Sequence, residues 1–386
     1  MASFPILRAT PATLQRPRKR AKQTSLTLFP TAARHGTCES PCEASAPPLA
    51  PSQRTKPATE LVGIARLAAS SPRAGAKRGT EYFLLPVRSI LNHCDSERVP
   101  FRWTVNPYRG CEFGCHYCYA RYTHEYMELD GNDFESKIYV KQDAGPLAGR
   151  DLANEKIWGE HIAIGTATDP YQPAEGEYGA TRAILEQMAE RDGLNLSITT
   201  KSNQVLRDID LLKRIAQRST LAVNLSITTL RTRLARLLEP RAPRPDLRLE
   251  AVRALREAGI SAGVLAMPIV PGITDGAEDL DHLARGARDA QAQWFAGNVL
   301  FLMPASLKHF LPFLDAKFPK LSRQYRAWYG RHGNAPDGYR KEITARVENL
   351  RQKYGLGSRP NRSANHSWKS PQLQLGLNQG GAACPA

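Results

Sequence analysis

Between Cys118 and Cys384 this 386-residue chain has no cysteine. Its seven cysteines are odd in number, and those outside one tight group (Cys38, Cys42, Cys94 and Cys384) follow no regular spacing. A disulfide framework is therefore excluded and a reducing, cytoplasmic setting is expected. No run of about 18 apolar residues occurs, so no membrane span is expected, and no signal-peptide core is recognisable. Acidic side chains are scarce at both ends: residues 1–80 carry 13 basic and 3 acidic residues, and residues 357–386 carry 3 and none. The excess positive charge thus lies mostly in the ends, and the middle 276 residues are close to neutral. The acid-free, Arg-rich first 38 residues have a transit-peptide-like composition, but Pro5, Pro11, Pro17 and Pro30 interrupt any amphipathic helix there.

The ends are also short of aromatic residues. Residues 1–80 mix Pro, Ala, Ser, Thr and Arg and bury too little apolar surface to offset their ordering entropy, so a disordered basic tail is expected. A second, flexible tail is expected over 357–386, and a helical extension with Phe310, Phe313, Tyr325 and Trp328 over 305–356. The stretch 81–304 alternates two kinds of segment. RWTVNPY (102–108), HIAIGTAT (161–168), LNLSITTK (194–201), LAVNLSITTL (221–230), ISAGVLAMPIVPG (260–272) and WFAGNVLFL (294–302) read as strands, with helical spacing between them. Continuous apolar strands separated by helices imply a parallel α/β sheet, either open and doubly wound or a full or partial barrel. In either case ligands meet the C-terminal strand ends. The cysteines, Thr168 with Asp169, Lys201, Thr228 with Thr229, and Pro271 with Gly272 all fall at such ends.

The tight group is RGCEFGCHYCYAR, in which Cys111, Cys115 and Cys118 are spaced C-x3-C-x2-C. Three thiolates on one short loop can reach three corners of a [4Fe–4S] cube and leave the fourth iron open. The same thiols with His116 or His124 could instead complete a zinc site, although no second Cys pair exists, or they could be buried without a metal.

The spacing, with an aromatic Tyr117 before the third cysteine, a strand before the loop and a helix expected after it, resembles the radical S-adenosylmethionine (SAM) superfamily. The resemblance implies a [4Fe–4S] cluster whose open iron is chelated by SAM, with Tyr117 against the adenine. It further implies reductive cleavage to a 5′-deoxyadenosyl radical that abstracts hydrogen, a reductant such as flavodoxin or ferredoxin, and a partial (β/α)6 TIM-like barrel.

A narrower match runs from about Tyr82 to Tyr354. NPYRGCEFGCHYCYAR, IGTATDPYQPAE, ITTKS, NLSITTL, LEPRAPRPDLRLEAVRALREAGI and MPIVPG resemble the proteins related to spore photoproduct lyase, a DNA-repair enzyme. By that resemblance Thr168 stands where the lyase has a serine near the cofactor, Lys201 where it has a lysine on the methionine carboxylate, and Ser226 where it has a ribose-side serine. Those hydroxyls could equally bond backbone, and Lys201 could be a solvated strand-end cation. Asp169 or Glu175 is expected to hold the methionine ammonium, with Asp169 preferred. Glu239 and Arg241 are expected as an acid–base pair beside the site or as a surface ion pair. The chain departs from the lyase at the end of the second strand, where the hydrogen-returning cysteine is replaced by Thr166. Tyr108 and Tyr171 are then the candidates for hydrogen return.

RPRKRAK (16–22) is expected to attract DNA phosphates. QTSLTLF (23–29) and QLQLGL (372–377) resemble short peptides that bind sliding clamps in extended form. The leading function is a radical enzyme acting on DNA. The alternatives are a radical enzyme acting on a peptide, RNA or small molecule, and a non-catalytic iron–sulfur protein.

Overall fold

The computed structural model describes residues 60–77, 79–95 and 99–360. Most of both expected tails, with the basic run 16–22 and the peptides 23–29 and 372–377, lies outside the described residues. The strands among the described residues are β1 (Arg73–Lys77), β2 (Thr80–Leu85), β3 (Leu91–His93), β4 (Trp103–Val105), β5 (Tyr108–Arg109), β6 (Lys137–Lys141), β7 (His161–Ile164), β8 (Asn195–Thr200), β9 (Thr220–Ser226), β10 (Ala262–Ile269) and β11 (Phe295–Val299).

The six strands expected from the sequence are β4, β7, β8, β9, β10 and β11. They pair in that order, all parallel, with Val105 beside Ile164, Ile164 beside Ile198, Ile198 beside Val223 and Val264 beside Leu225. β3 runs antiparallel outside β4, so the sheet is a partial barrel whose edge strands are β3 and β11. Ile162, Leu196, Ile198, Val223, Leu225 and Val264 are all buried, which is why these strands read as unbroken apolar runs. The helices Ala180–Ala189, Ile209–Arg218, Pro245–Glu257 and Ala277–Asp289 fill the connections. Ile209–Arg218 buries Leu211, Leu212 and Ile215 on one stripe. Pro245–Glu257 begins with proline in its first turn and is followed by Gly259 at φ +80°, the asymmetry that fixed-φ proline and left-handed glycine impose.

The first connection differs from the helix expected after the cysteines. It holds a 3₁₀ turn, Tyr119–Arg121, a one-turn helix, Tyr122–Glu125, then β6 and the helix Ala144–Asp151. β6 belongs to a second sheet in the order β1-β2-β6-β5, parallel between β2 and β6 and antiparallel elsewhere.

The ordered chain also begins before the boundary expected at residue 80. The helix Gly63–Ser70 and β1 precede it, and Ala68 packs on Leu85, Met127 and Leu129. Composition missed them because the buried residues are mostly small alanines set among arginines. At the other end Gly357, expected in the flexible tail, bridges to Trp294. The Trp294 ring lies so close over Gly263 that a Cβ there would come within 2.4 Å of it.

Over 305–356 the chain is helical as expected, as Pro304–Lys317, Ser322–His332 and Asp337–Tyr354. These helices bring Phe310, Leu314, Tyr325 and Tyr329 into one buried cluster with Cys111, Phe113, Cys115 and Tyr117. The extension therefore walls the cysteine loop. No helix among the described residues is long and apolar enough to cross a membrane.

Candidate active site at the strand ends

The cysteine loop starts at Gly110, φ +83°, where a Cβ would sit 2.7 Å from the Lys137 carbonyl and 2.8 Å from that of Phe134. Only glycine lets the chain turn there. The loop is then held by donors from three directions. The Gly110 carbonyl accepts from Thr168 Oγ1 (2.6 Å) and Gln172 Nε2 (3.2 Å), while Gln172 Oε1 accepts from the Glu112 amide (2.9 Å). The Cys111 amide donates to Phe134 O (2.9 Å) and the His116 amide to Leu238 O (3.1 Å). Arg121, fully buried, donates to the Cys115 carbonyl (3.4 Å) and pairs with Glu135 (2.7 Å).

Cys111, Cys115 and Cys118 are free thiols. Burial raises the pKa of each, and Cys111 feels Asp169 and both other cysteines in addition. Metal loading must displace these protons, and soft thiolates close to one another on one loop are the donor set that iron–sulfur clusters take. The histidines of the zinc alternative are turned to other partners. His124 is buried with Nε2 on the Lys137 carbonyl (3.0 Å), and burial pushes it down to about 3. His116 stacks on Phe313, ring centroids 4.1 Å apart, and shares a 3.4 Å contact with His309. Among the described residues no three His, Cys, Asp or Glu side chains converge as for a single metal ion. The three thiols, which feel one another's charge on one short loop, are the donors that would take three corners of a cluster.

Beside the loop lies a buried charged hub centred on Glu239. Its Oε1 accepts from Thr228 Oγ1 (2.8 Å) and the Tyr117 hydroxyl and meets Lys201 Nζ at 3.3 Å. Its Oε2 meets Arg248 Nη2 at 2.5 Å. Burial alone would raise this carboxyl, but Arg248 and Lys201 outweigh it and hold it down to about 2. Arg248 also donates to the carbonyls of Ser226 (2.9 Å) and Pro243 (2.9 Å), pinning the LEPRAPRP loop to the end of β9. The Lys201 ammonium stands 5.7 Å from the Tyr117 ring centroid and remains 15% exposed. Tyr117 and Lys201 thus meet beside Glu239, Ser226 ends β9, and no protein group among the described residues bonds the Ser226 hydroxyl.

The other singled-out residues have protein partners of their own. Glu239 does not pair with Arg241, whose guanidinium reaches only the Glu135 carbonyl (3.4 Å), because Arg248, in the first turn of the helix Pro245–Glu257, enters the core instead. Glu175 lies away from the mouth. It caps the helix Ala180–Ala189 through the Thr181 amide (2.7 Å) and pairs with Arg207 (2.6 Å). Thr168 is spent on the cysteine loop. Asp169 accepts from the Tyr171 amide (2.9 Å), Thr200 Oγ1 (2.6 Å) and the Lys201 amide (2.7 Å), so its carboxylate braces β7 against β8. Tyr108 bonds Glu175, and both Tyr108 and Tyr171 belong to the main core, not to the cluster around the cysteines. Thr166 exchanges hydrogen bonds with Asn106 (3.0 Å), and the partly exposed Tyr119 donates to its carbonyl. Gln172, Arg121 and Arg248 were missed. Only the EPRAPRPDLR block hinted at Arg248.

The family model of the Radical SAM superfamily matches residues 105–285. Uncharacterized protein Rv2578c of Mycobacterium tuberculosis (strain H37Rv) is 34% identical over 323 residues, covering 83% of this chain and 92% of that protein. Uncharacterized protein MJ0683 of Methanocaldococcus jannaschii is 33% identical over 174 residues, covering 45% and 62%. Among solved structures, a spore photoproduct lyase mutant with bound AdoMet and dinucleoside spore photoproduct shares the fold at TM-score 0.53 and 18% identity. The alignment covers 78% of this chain and 86% of that one. With the cysteine loop at the mouth of a partial barrel and a family match spanning β7 to β10 and the end of β4, this chain belongs to the Radical SAM superfamily and takes its cofactors, a [4Fe–4S] cluster and S-adenosylmethionine.

Proposed function

We propose that this chain is a radical enzyme acting on nucleic acid, abstracting hydrogen from a nucleotide of DNA. The observation that carries it is the meeting, at one mouth, of three free cysteines and the partly exposed Lys201 ammonium held against Glu239. When bound, the reduced cluster and S-adenosylmethionine supply a 5′-deoxyadenosyl radical. Cys111, Cys115 and Cys118 hold the cluster, and the thiol protons that burial retains leave on loading. Lys201 offers a point charge to the methionine carboxylate while Glu239 keeps it protonated and fixed. The Ser226 hydroxyl is available to a ribose hydroxyl, and Tyr117 presents a ring to the adenine with its own hydroxyl tied to Glu239 and Thr228. Asp169 and Thr168 position the strand ends and the loop. DNA as substrate is supported by the shared fold with the lyase crystallised with a dinucleoside spore photoproduct and by the basic run 16–22. Because Thr166 has no transferable hydrogen of low bond strength, hydrogen return differs from a thiol-based step.

The test is anaerobic reconstitution with iron and sulfide, reduction with dithionite and assay for 5′-deoxyadenosine. The wild type should form it and Cys115→Ala should not. A reconstituted wild type that forms none rejects the reading.

A further inference from the structure

At the base of the cysteine loop a half-buried guanidinium, Arg109, and a buried ammonium, Lys141, lie on one sheet face, and neither has a hydrogen-bonded counter-ion among the described residues. Arg109 of β5 lies opposite Tyr139 of β6 in an antiparallel pair, and Lys141 follows two residues on, so all three side chains share one face of the second sheet. Lys141 is only 6% exposed. Arg109 Nε is fully buried with no partner. Neither head group makes a hydrogen bond or ion pair among the described residues. The groups that face Lys141 are Arg109 and Asp151, and Asp151 is already engaged by Ser89 Oγ (2.7 Å), the Ile90 amide (2.7 Å), the Leu91 amide (3.2 Å) and Arg150 (2.7 Å). Burial first, and then Arg109, push the Lys141 ammonium down to about 7. Two like charges partly withdrawn from water, with the one facing carboxylate already bound elsewhere, are a costly arrangement unless an anion arrives from outside.

The surroundings say which anion. Tyr122 neighbours both Arg109 and Cys118. Its ring lies 6.4 Å from that of Tyr119 and 5.3 Å from that of Tyr126. Tyr119 and Tyr126 are 42% and 64% exposed. This tyrosine row runs from the last cysteine to the cation pair, and Tyr119 is tied to Thr166 at the end of β7. A guanidinium fork beside an ammonium suits phosphate oxygens, and exposed aromatic faces suit unstacked bases. Resting on the nucleic-acid reading above, we infer that Arg109 and Lys141 form a backbone-phosphate subsite for the substrate strand, with Tyr119, Tyr122 and Tyr126 as its base-stacking face.

The test uses the full-length reconstituted protein and titration calorimetry with a thymidine dinucleotide, once with its natural phosphodiester and once with an uncharged methylphosphonate linkage. The wild type should prefer the charged linkage by about tenfold or more, and Lys141→Met should lose that preference while Lys141→Arg keeps it. Wild-type affinity should fall as pH rises from 6 to 9, because an empty site with a Lys141 pKa of about 7 must take up a proton to bind. Lys141→Met removes an unpaired buried charge and so is not expected to fail by unfolding. Equal affinities for the two linkages in the wild type, or an unchanged preference in Lys141→Met, would overturn the subsite. Wild-type 5′-deoxyadenosine formation without substrate is scored separately. Its absence alongside a Lys141-dependent preference would sink the radical reading and leave the subsite standing.

Discussion

On the β8–β9 flank of the mouth, Lys201 and Arg248 share one buried carboxylate, Glu239, whereas on the β5–β6 flank Arg109 and Lys141 share none. Both flanks bury two cations within reach of the cysteine loop. In the first, every head group is answered by the protein itself, and the result is a rigid brace joining Tyr117, Thr228, the end of β9 and the loop before Pro245–Glu257. In the second, Arg109 Nε is buried without a partner and Lys141 faces an Asp151 already bound by Ser89 and Arg150. The contrast separates cations fixed by a protein carboxylate from cations that have none of their own.

Breaking the paired flank should have the largest effect. Glu239→Gln strands two buried cations and should cost ~3–5 kcal/mol in urea unfolding. A loss below about 1 kcal/mol would show that the hub is not structural. Removing the unpaired cation should act in the opposite direction. Lys141→Met should stabilise the ligand-free protein by ~2–4 kcal/mol at pH 6, as replacing an uncompensated buried charge allows. The sign follows from a folded pKa of about 7 against an ordinary 10.5: the unfolded chain binds the extra proton between these values, so wild-type stability rises with pH across that window. The advantage of Lys141→Met should therefore shrink from pH 7 to pH 10, and a constant advantage would contradict the account. Gln172→Ala, which leaves the Glu112 amide and the Gly110 carbonyl short of partners, should cost ~1–3 kcal/mol and lower the iron content after reconstitution. Thr228→Val, the smallest step, should cost ~0.5–1.5 kcal/mol by removing one donor to Glu239.

The six parallel strands were legible because burial on both faces writes continuous apolar segments, and the cysteine triad because its spacing has few other uses. Tyr117, Lys201 and Ser226 stood out from ordered motif blocks, and the structure brings Tyr117 and Lys201 together. The second sheet was not. EYFLL and KIYVK are short, and no local signal says that β6 pairs in parallel with β2 across some fifty residues. The hub was half legible: Glu239 stood out, but Arg241 and Arg248 are equal on paper, and only the helical register of Pro245–Glu257 turns Arg248 inward. Thr168, Asp169 and Glu175 show the converse limit. Polar residues at strand ends look like ligand contacts, yet these spend their hydrogen bonds on the loop, on β8 and on a helix cap. The Arg109–Lys141 pair was invisible, since a basic residue in sequence carries no mark of lacking a partner in space.

The most direct test of the account is deuterium transfer. The reduced, reconstituted enzyme is incubated with S-adenosylmethionine and a DNA oligonucleotide deuterated in its sugars and bases, with and without ultraviolet irradiation, and the 5′-deoxyadenosine is weighed by mass spectrometry. The account predicts deuterium in that product from at least one of the two DNA samples and none with Cys115→Ala. Abundant 5′-deoxyadenosine that stays free of deuterium with both would contradict it.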